Sequence, residues 1–78
     1  MQNVTIYSTP TCHFCHLAKE YFKEHGVAYT EYDVLSDMQK RQEMVQKSGQ
    51  LGVPVILIGE NVIVGFDQER VASLLGIK

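Results

Sequence analysis

Only two of the 78 residues are cysteine and only two are proline, and no apolar run approaches the roughly 20 residues that cross a membrane. With so little cysteine a stapled disulfide framework is excluded, and a membrane span has no material. Charge of one sign is also scarce in any one place. Seven Lys and Arg are interspersed with nine Asp and Glu for a net charge near −2, so the chain lacks the basic tract that marks nucleic-acid binding. No basic segment followed by an apolar stretch opens the sequence, and a cytoplasmic protein with no membrane partner is expected. Residues 1–78 leave no length for a linker or second domain. One small domain, a monomer, is expected, with stability on the order of 3–5 kcal/mol.

The two cysteines that are present stand together as Cys12-His13-Phe14-Cys15, directly after the run Val4 to Thr11. A pair three apart at the start of a helix puts both sulfurs on one face of the first turn, close enough to bond. The loop such a bond closes is too short to stabilise much, so chemistry is the better reason for the pair. Strand, loop, CxxC and helix in that order read as a redox-active dithiol. A thiol attacks as thiolate, and the free N–H groups at a helix start favour negative charge on the first sulfur, with the Cys15 N–H aimed at it. Cys12 is therefore the expected nucleophile. Cys15, one turn deeper, is the expected resolving thiol, breaking the mixed disulfide that Cys12 forms.

The rest of the chain is punctuated clearly. Asn3 to Tyr7 alternates like a half-buried strand, and Pro10 interrupts it. Phe14, Leu17, Ala18, Tyr21 and Phe22 form an amphipathic stripe ended by Gly26. Val27 to Val34 reads as a second strand. Ser36 with Gln39 has the form of a capping box for a second helix running to about Lys47 and closed by Gly49, with Met38, Met44 and Val45 as its thin apolar face. Val55 to Ile58 and Val62 to Val64 make two strands about a Gly59-Glu60-Asn61 turn. Asp67 caps a last helix that buries Val71, Leu74 and Leu75 and stops at Gly76. The order β-α-β-α-β-β-α predicts an α/β fold: a four-stranded mixed sheet whose first two strands are parallel and whose last two form an antiparallel hairpin, flanked by three helices.

Pro54, in Gly52-Val53-Pro54, precedes an apolar strand. Two readings stand: a plain first strand residue, or a cis peptide in a tight turn that frees the Val53 backbone to pair with an extended disulfide substrate.

Tyr7 to Cys15, the Gly52-Val53-Pro54 turn and Val64-Gly65-Phe66-Asp67 together resemble, in order and spacing, the active-site, cis-proline and glycine-aspartate segments of glutaredoxins, most closely the short bacterial glutaredoxin-like proteins. The resemblance spans essentially the whole chain. It implies a thioredoxin-like fold, thiol-disulfide oxidoreductase activity and no bound cofactor, with glutathione as reducing co-substrate. It also implies glutathione contacts from the Val53 backbone, Pro54, Gly65, Phe66 and Asp67. The chain departs from the family pattern at His13 and Phe14, which replace Pro-Tyr between the cysteines, at Thr9, where many members carry lysine, and at Val64, where a second glycine is usual. His13 brings an imidazole beside the thiols, and Phe14 either packs in the helix stripe or meets substrate. Lys40 or Arg41 offers a carboxylate contact in place of the missing lysine. The Gly65-Phe66 pair also resembles the electron donors of ribonucleotide reductase, which are reduced by thioredoxin reductase.

Other classes were weighed on the same residues. Cys12 to His16 also fits C-x-x-C-H, the c-type haem attachment pattern, but the chain offers at least three strands where small cytochromes are helical. A metal site within one chain would need His25, roughly 20 Å along the helix from Cys12, so no metal ligand set is assigned. A cluster shared between two subunits, or a binding module that merely keeps the CxxC, are the remaining alternatives.

Overall fold

Alternation in the first run and in the closing hairpin builds the sheet on which everything else rests. The computed structural model describes residues 3–77. Its strands are β1 (Val4–Ser8), β2 (Thr30–Asp33), β3 (Val55–Ile58) and β4 (Asn61–Val64), and its helices are α1 (His13–Glu24), α2 (Met38–Ser48) and α3 (Gln68–Leu75). The sheet order is β2-β1-β3-β4, with β1 and β2 parallel and the other neighbours antiparallel. This is the expected β-α-β-α-β-β-α architecture. No helix among the described residues is long and apolar enough to cross a membrane.

Because side chains alternate across a pleated strand, the register separates two cores. Ile6, Ile56 and Ile63 stand opposite one another across three strands, and with Val4 and Ile58 they pack against Ala18, Tyr21 and Phe22 of α1 and Val71 of α3. Tyr7 and Val55 face the other way, onto Val34 and Met44 of α2. Thus α1 and α3 share one face of the sheet and α2 covers the other.

Several boundaries differ from the sequence expectation. The second strand starts only at Thr30, because the Val27 N–H is taken by the Phe22 carbonyl at 2.8 Å and Val27 and Tyr29 pack against the first core. Asp37, not Ser36, caps α2: its Oδ1 accepts the Lys40 N–H at 3.1 Å, while the Ser36 hydroxyl reaches back to the Asp33 carbonyl. Met38, the first residue of the helix, is 58% exposed, and Met44, about 120° round the helix from it, is the buried residue. Gly49 ends it in the left-handed conformation at φ 77°. Asn61 belongs to β4, so the hairpin turn is Gly59-Glu60 alone. Leu74 and Leu75 are only partly buried.

One polar contact pins α2 to the sheet. The buried Tyr7 hydroxyl donates to Glu43 Oε2, and Lys40 lies 3.5 Å from the same oxygen and 4.2 Å from the centre of the Tyr32 ring. The Tyr7 hydrogen bond, helped by Lys40 and Lys47, holds the Glu43 carboxyl below its ordinary value. Burial, then the Glu43 contact, pushes the Tyr7 phenol up. A carboxyl lowered by folding stabilises fully above its unfolded value and loses that contribution as pH falls through the folded one; a phenol raised by folding does so below its unfolded value and loses it as pH rises. The contact therefore weakens at both extremes. Glu43→Gln is expected to lose less melting temperature than the parent between about pH 6 and pH 3, the effect being small because Glu43 is partly exposed. Thermal melts across that range check it, and an acid slope identical to the parent's would contradict it.

Candidate active site

Where β1 ends at the buried Ser8, the chain turns through Thr9, Pro10 and Thr11 into α1. Cys12 is the N-cap of that helix, in extended conformation at φ −84° and ψ 113°. Its N–H donates to the Thr9 carbonyl at 3.3 Å, and its carbonyl accepts the His16 N–H at 3.2 Å. Its Sγ accepts the Cys15 N–H at 3.2 Å, a sulfur taking the place of the usual capping oxygen. No acidic side chain occupies the first turn, so nothing of like charge competes with an anionic sulfur for the positive end of the helix. The His16 imidazole donates to the Pro10 carbonyl at 2.9 Å and braces the loop from outside.

The two thiols have different surroundings. Both are free; Cys12 is half-buried and Cys15 is fully buried. Burial, then the neighbouring Cys12 side chain, pushes the Cys15 thiol up to about 12, although a hydrogen bond from the Thr9 backbone and the charge of Lys19 pull the other way.

Pairing of Tyr7 with Val55 carries Val53 and Pro54 past the end of β1, beside the loop that holds Cys12. The Val53-Pro54 peptide is cis and lies just before β3, so Pro54 is a buried turn residue rather than the first of the strand. The Pro54 carbonyl accepts the Gly65 N–H at 2.8 Å, which joins this turn to the segment after β4. Gly65 adopts φ 82°, a conformation that suits glycine there. Among the described residues neither the N–H nor the C=O of Val53 has a hydrogen-bond partner.

Cys12, Cys15, Val53, Pro54 and Gly65 therefore gather at one end of the sheet. Phe66 follows Gly65 and is partly buried against the first core, edge-on to Tyr21 with ring centres 5.7 Å apart. Asp67 caps α3, its Oδ1 accepting the Arg70 N–H at 3.2 Å. The helix stripe is rotated from the expected one. Phe14 is 58% exposed and Leu17 is exposed, because the buried line runs Cys15, Ala18, Tyr21 and Phe22 once the helix starts at His13. Phe14 thus lies open in the first turn of α1, its ring edge-on to exposed His13 at 5.6 Å. Sequence reasoning missed a polar group formed by Ser8, Lys19 and Glu31, whose one signal was the placing of Lys19 four residues after Cys15. Among the described residues no group of three or more His, Cys, Asp or Glu is placed so that it could hold a metal ion.

Residues 4–63 match the family model for glutaredoxin. The chain belongs to the glutaredoxin family. It is 44% identical over 72 residues to a glutaredoxin-like 8.6 kDa protein in the rubredoxin operon of Clostridium pasteurianum, covering 92% of this chain and 96% of that one. It is 40% identical over 67 residues to glutaredoxin 3 of Escherichia coli, covering 86% and 81%. Among solved structures, the thioredoxin-like protein BC3987, in a point-mutant form, superposes over all of both chains with a TM-score of 0.92 at 32% identity. A buckwheat glutaredoxin solved with glutathione shares the fold, with a TM-score of 0.78 at 22% identity over 96% of this chain and 74% of that one. The fold is thioredoxin-like, and membership of this family makes the protein a thiol-disulfide oxidoreductase.

Proposed function

We propose that this glutaredoxin reduces protein disulfides or glutathione mixed disulfides through its dithiol, with Cys12 as nucleophile, Cys15 as resolving thiol and glutathione as the reductant. The observation that carries the reading is the contrast between the sulfurs: Cys12 is reachable and accepts a helix-terminal N–H at 3.2 Å, while Cys15 is fully buried directly behind it. Attack by the Cys12 thiolate on a substrate disulfide forms a mixed disulfide and expels one substrate thiolate. Cys15 then attacks Cys12 Sγ, the second substrate sulfur leaves with its electron pair and is protonated, and a Cys12–Cys15 disulfide remains. Two glutathione thiols return the pair to the dithiol and become glutathione disulfide.

The substrate side is built from backbone. The unpaired N–H and C=O of Val53 offer an extended peptide two hydrogen bonds in the manner of a short added strand, with Pro54 and Gly65 shaping the floor. Asp67 and the Phe66 backbone stand next to Gly65, and His13 and Phe14, both exposed, directly follow Cys12 in the chain. The bound glutathione of the buckwheat relative supports glutathione as partner. Thr9 in place of the family's frequent lysine, together with the exposed Phe14, favours a second reading in which thioredoxin reductase supplies the electrons. Turnover of a small disulfide, followed as NADPH oxidation, separates the two. Activity through glutathione and glutathione reductase is the expected result; activity only through thioredoxin reductase would replace glutathione as reductant, and activity with neither would contradict the proposal.

A further inference from the structure

Ser8 is a fully buried hydroxyl residue, and its side chain donates to Glu31 Oε2 at 2.9 Å. The same oxygen accepts from Lys19 Nζ at 2.7 Å. Ile6 stands opposite Glu31 in the parallel β1–β2 pair, and Ser8 follows two residues later on the same face, the face that α1 covers. Lys19 is one turn past Cys15 on that helix, where side chains four apart are neighbours. Two strands and a helix thus fix the Lys19 ammonium one helical turn from Cys15, on the face of the sheet that α1 covers, near enough for the two groups to act on each other. A lysine has a flexible stem and would normally extend into water; here the carboxylate and hydroxyl keep its side chain down, only 17% exposed.

We propose that Lys19, held by Glu31 and Ser8, is a positioning residue for the second half of the reaction, supplying the positive charge against which buried Cys15 gives up its proton and attacks Cys12. The proposal rests on Cys15 being the resolving thiol. In that step the Cys15 proton passes to solvent, the Cys15–Cys12 bond forms, the bond from Cys12 to substrate breaks, and the departing sulfur takes the electron pair. Negative charge develops on Cys15 Sγ in a site without water contact, where an opposite charge acts strongly. Lys19 and Cys15 influence each other in that sense: Lys19 draws the thiol down, and the sulfur helps to raise the ammonium. The other groups acting on Cys15 are Cys12 and the Thr9 backbone; Lys19 in turn faces Glu31 and Tyr29, and His16 acts on Glu31. Lys40 and Glu43 lie with α2 on the opposite face of the sheet, and Asp67 is exposed at the start of α3.

The test separates the two half-reactions. At about pH 4, where Cys15 resolves slowly, 4,4′-dithiodipyridine loads Cys12 and releases one thiopyridone; a jump to higher pH then releases the second by Cys15 attack. Lys19→Met is expected to load at the parental rate, release the second thiopyridone about tenfold more slowly at neutral pH, and shift the pH midpoint of that release up by about one unit. Lys19→Arg keeps the charge and is expected to stay close to the parent. Unchanged loading also reports that the variant is folded. Second-phase rates and midpoints for Lys19→Met within twofold of the parent would overturn the proposal. If instead Cys15→Ser still released the second thiopyridone, or Cys12→Ser still loaded, the dithiol assignment itself would fail.

Discussion

Cys12→Ser is expected to abolish disulfide reduction, with a loss of at least about 10³-fold in turnover. A serine fits the same N-cap and accepts the same Cys15 N–H, so the fold is retained while the nucleophile is lost. Cys15 cannot take over. It is fully buried, its thiol is pushed up to about 12, and it lies behind the loop rather than on it. Cys15→Ser is expected to act differently: the first attack survives, the mixed disulfide on Cys12 accumulates, and only an external thiol clears it. NADPH-coupled turnover and intact-protein mass together check both variants. Full activity in Cys12→Ser, or failure of Cys15→Ser to accumulate an adduct, would contradict the roles.

Phe22→Ala is the second change with a large expected effect, this time on stability. Phe22 is fully buried between α1 and the sheet, 5.4 Å from the Tyr29 ring centre and 6.3 Å from that of Tyr21, and its carbonyl closes the turn to Val27. Truncating a buried phenylalanine costs about 3–5 kcal/mol, comparable with the whole stability of a domain of this size. The variant is expected to be largely unfolded at room temperature. Phe14→Ala in the same helix removes a side chain that is 58% exposed and should change stability by no more than about 0.5 kcal/mol. Urea unfolding followed by far-ultraviolet circular dichroism compares them. Equal losses would mean that the helix presents a different face to the sheet.

That pair of phenylalanines also shows how far the sequence could be read. Element order, the antiparallel hairpin, the cap at Asp67 and the stops at Gly49 and Gly76 follow from local signals, because alternation, capping chemistry and left-handed glycine are properties of short segments. The stripe from Phe14 to Phe22 was placed on the right helix but about one position out of phase. Apolar residues at 14, 17, 18, 21 and 22 fit more than one helical face, and only packing against Ile6 and Ile56 selects the one that contains Cys15. Met38 shows a similar ambiguity: in a helix with so few apolar residues the sequence offers Met38, Met44 and Val45 alike, and only packing against Tyr7 and Val55 selects Met44.

Among the candidate site residues, Cys12 and Cys15 stand out by their spacing and Pro54 with Val53 by a proline ahead of an apolar strand, whereas Gly65 is visible only through the family resemblance. The hydrogen bond that joins Gly65 to Pro54 spans two strands and has no local signature. The group of Ser8, Lys19 and Glu31 has none either, since it is assembled from β1, α1 and β2 by the parallel register.

The division of labour between the thiols is tested most directly by acid-quenching the native protein within its first turnover of a disulfide substrate and mapping the trapped adduct by mass spectrometry. The expected result is substrate sulfur bonded to Cys12, giving way at later times to a Cys12–Cys15 disulfide. An adduct on Cys15, or reduction proceeding without any adduct on Cys12, would contradict it.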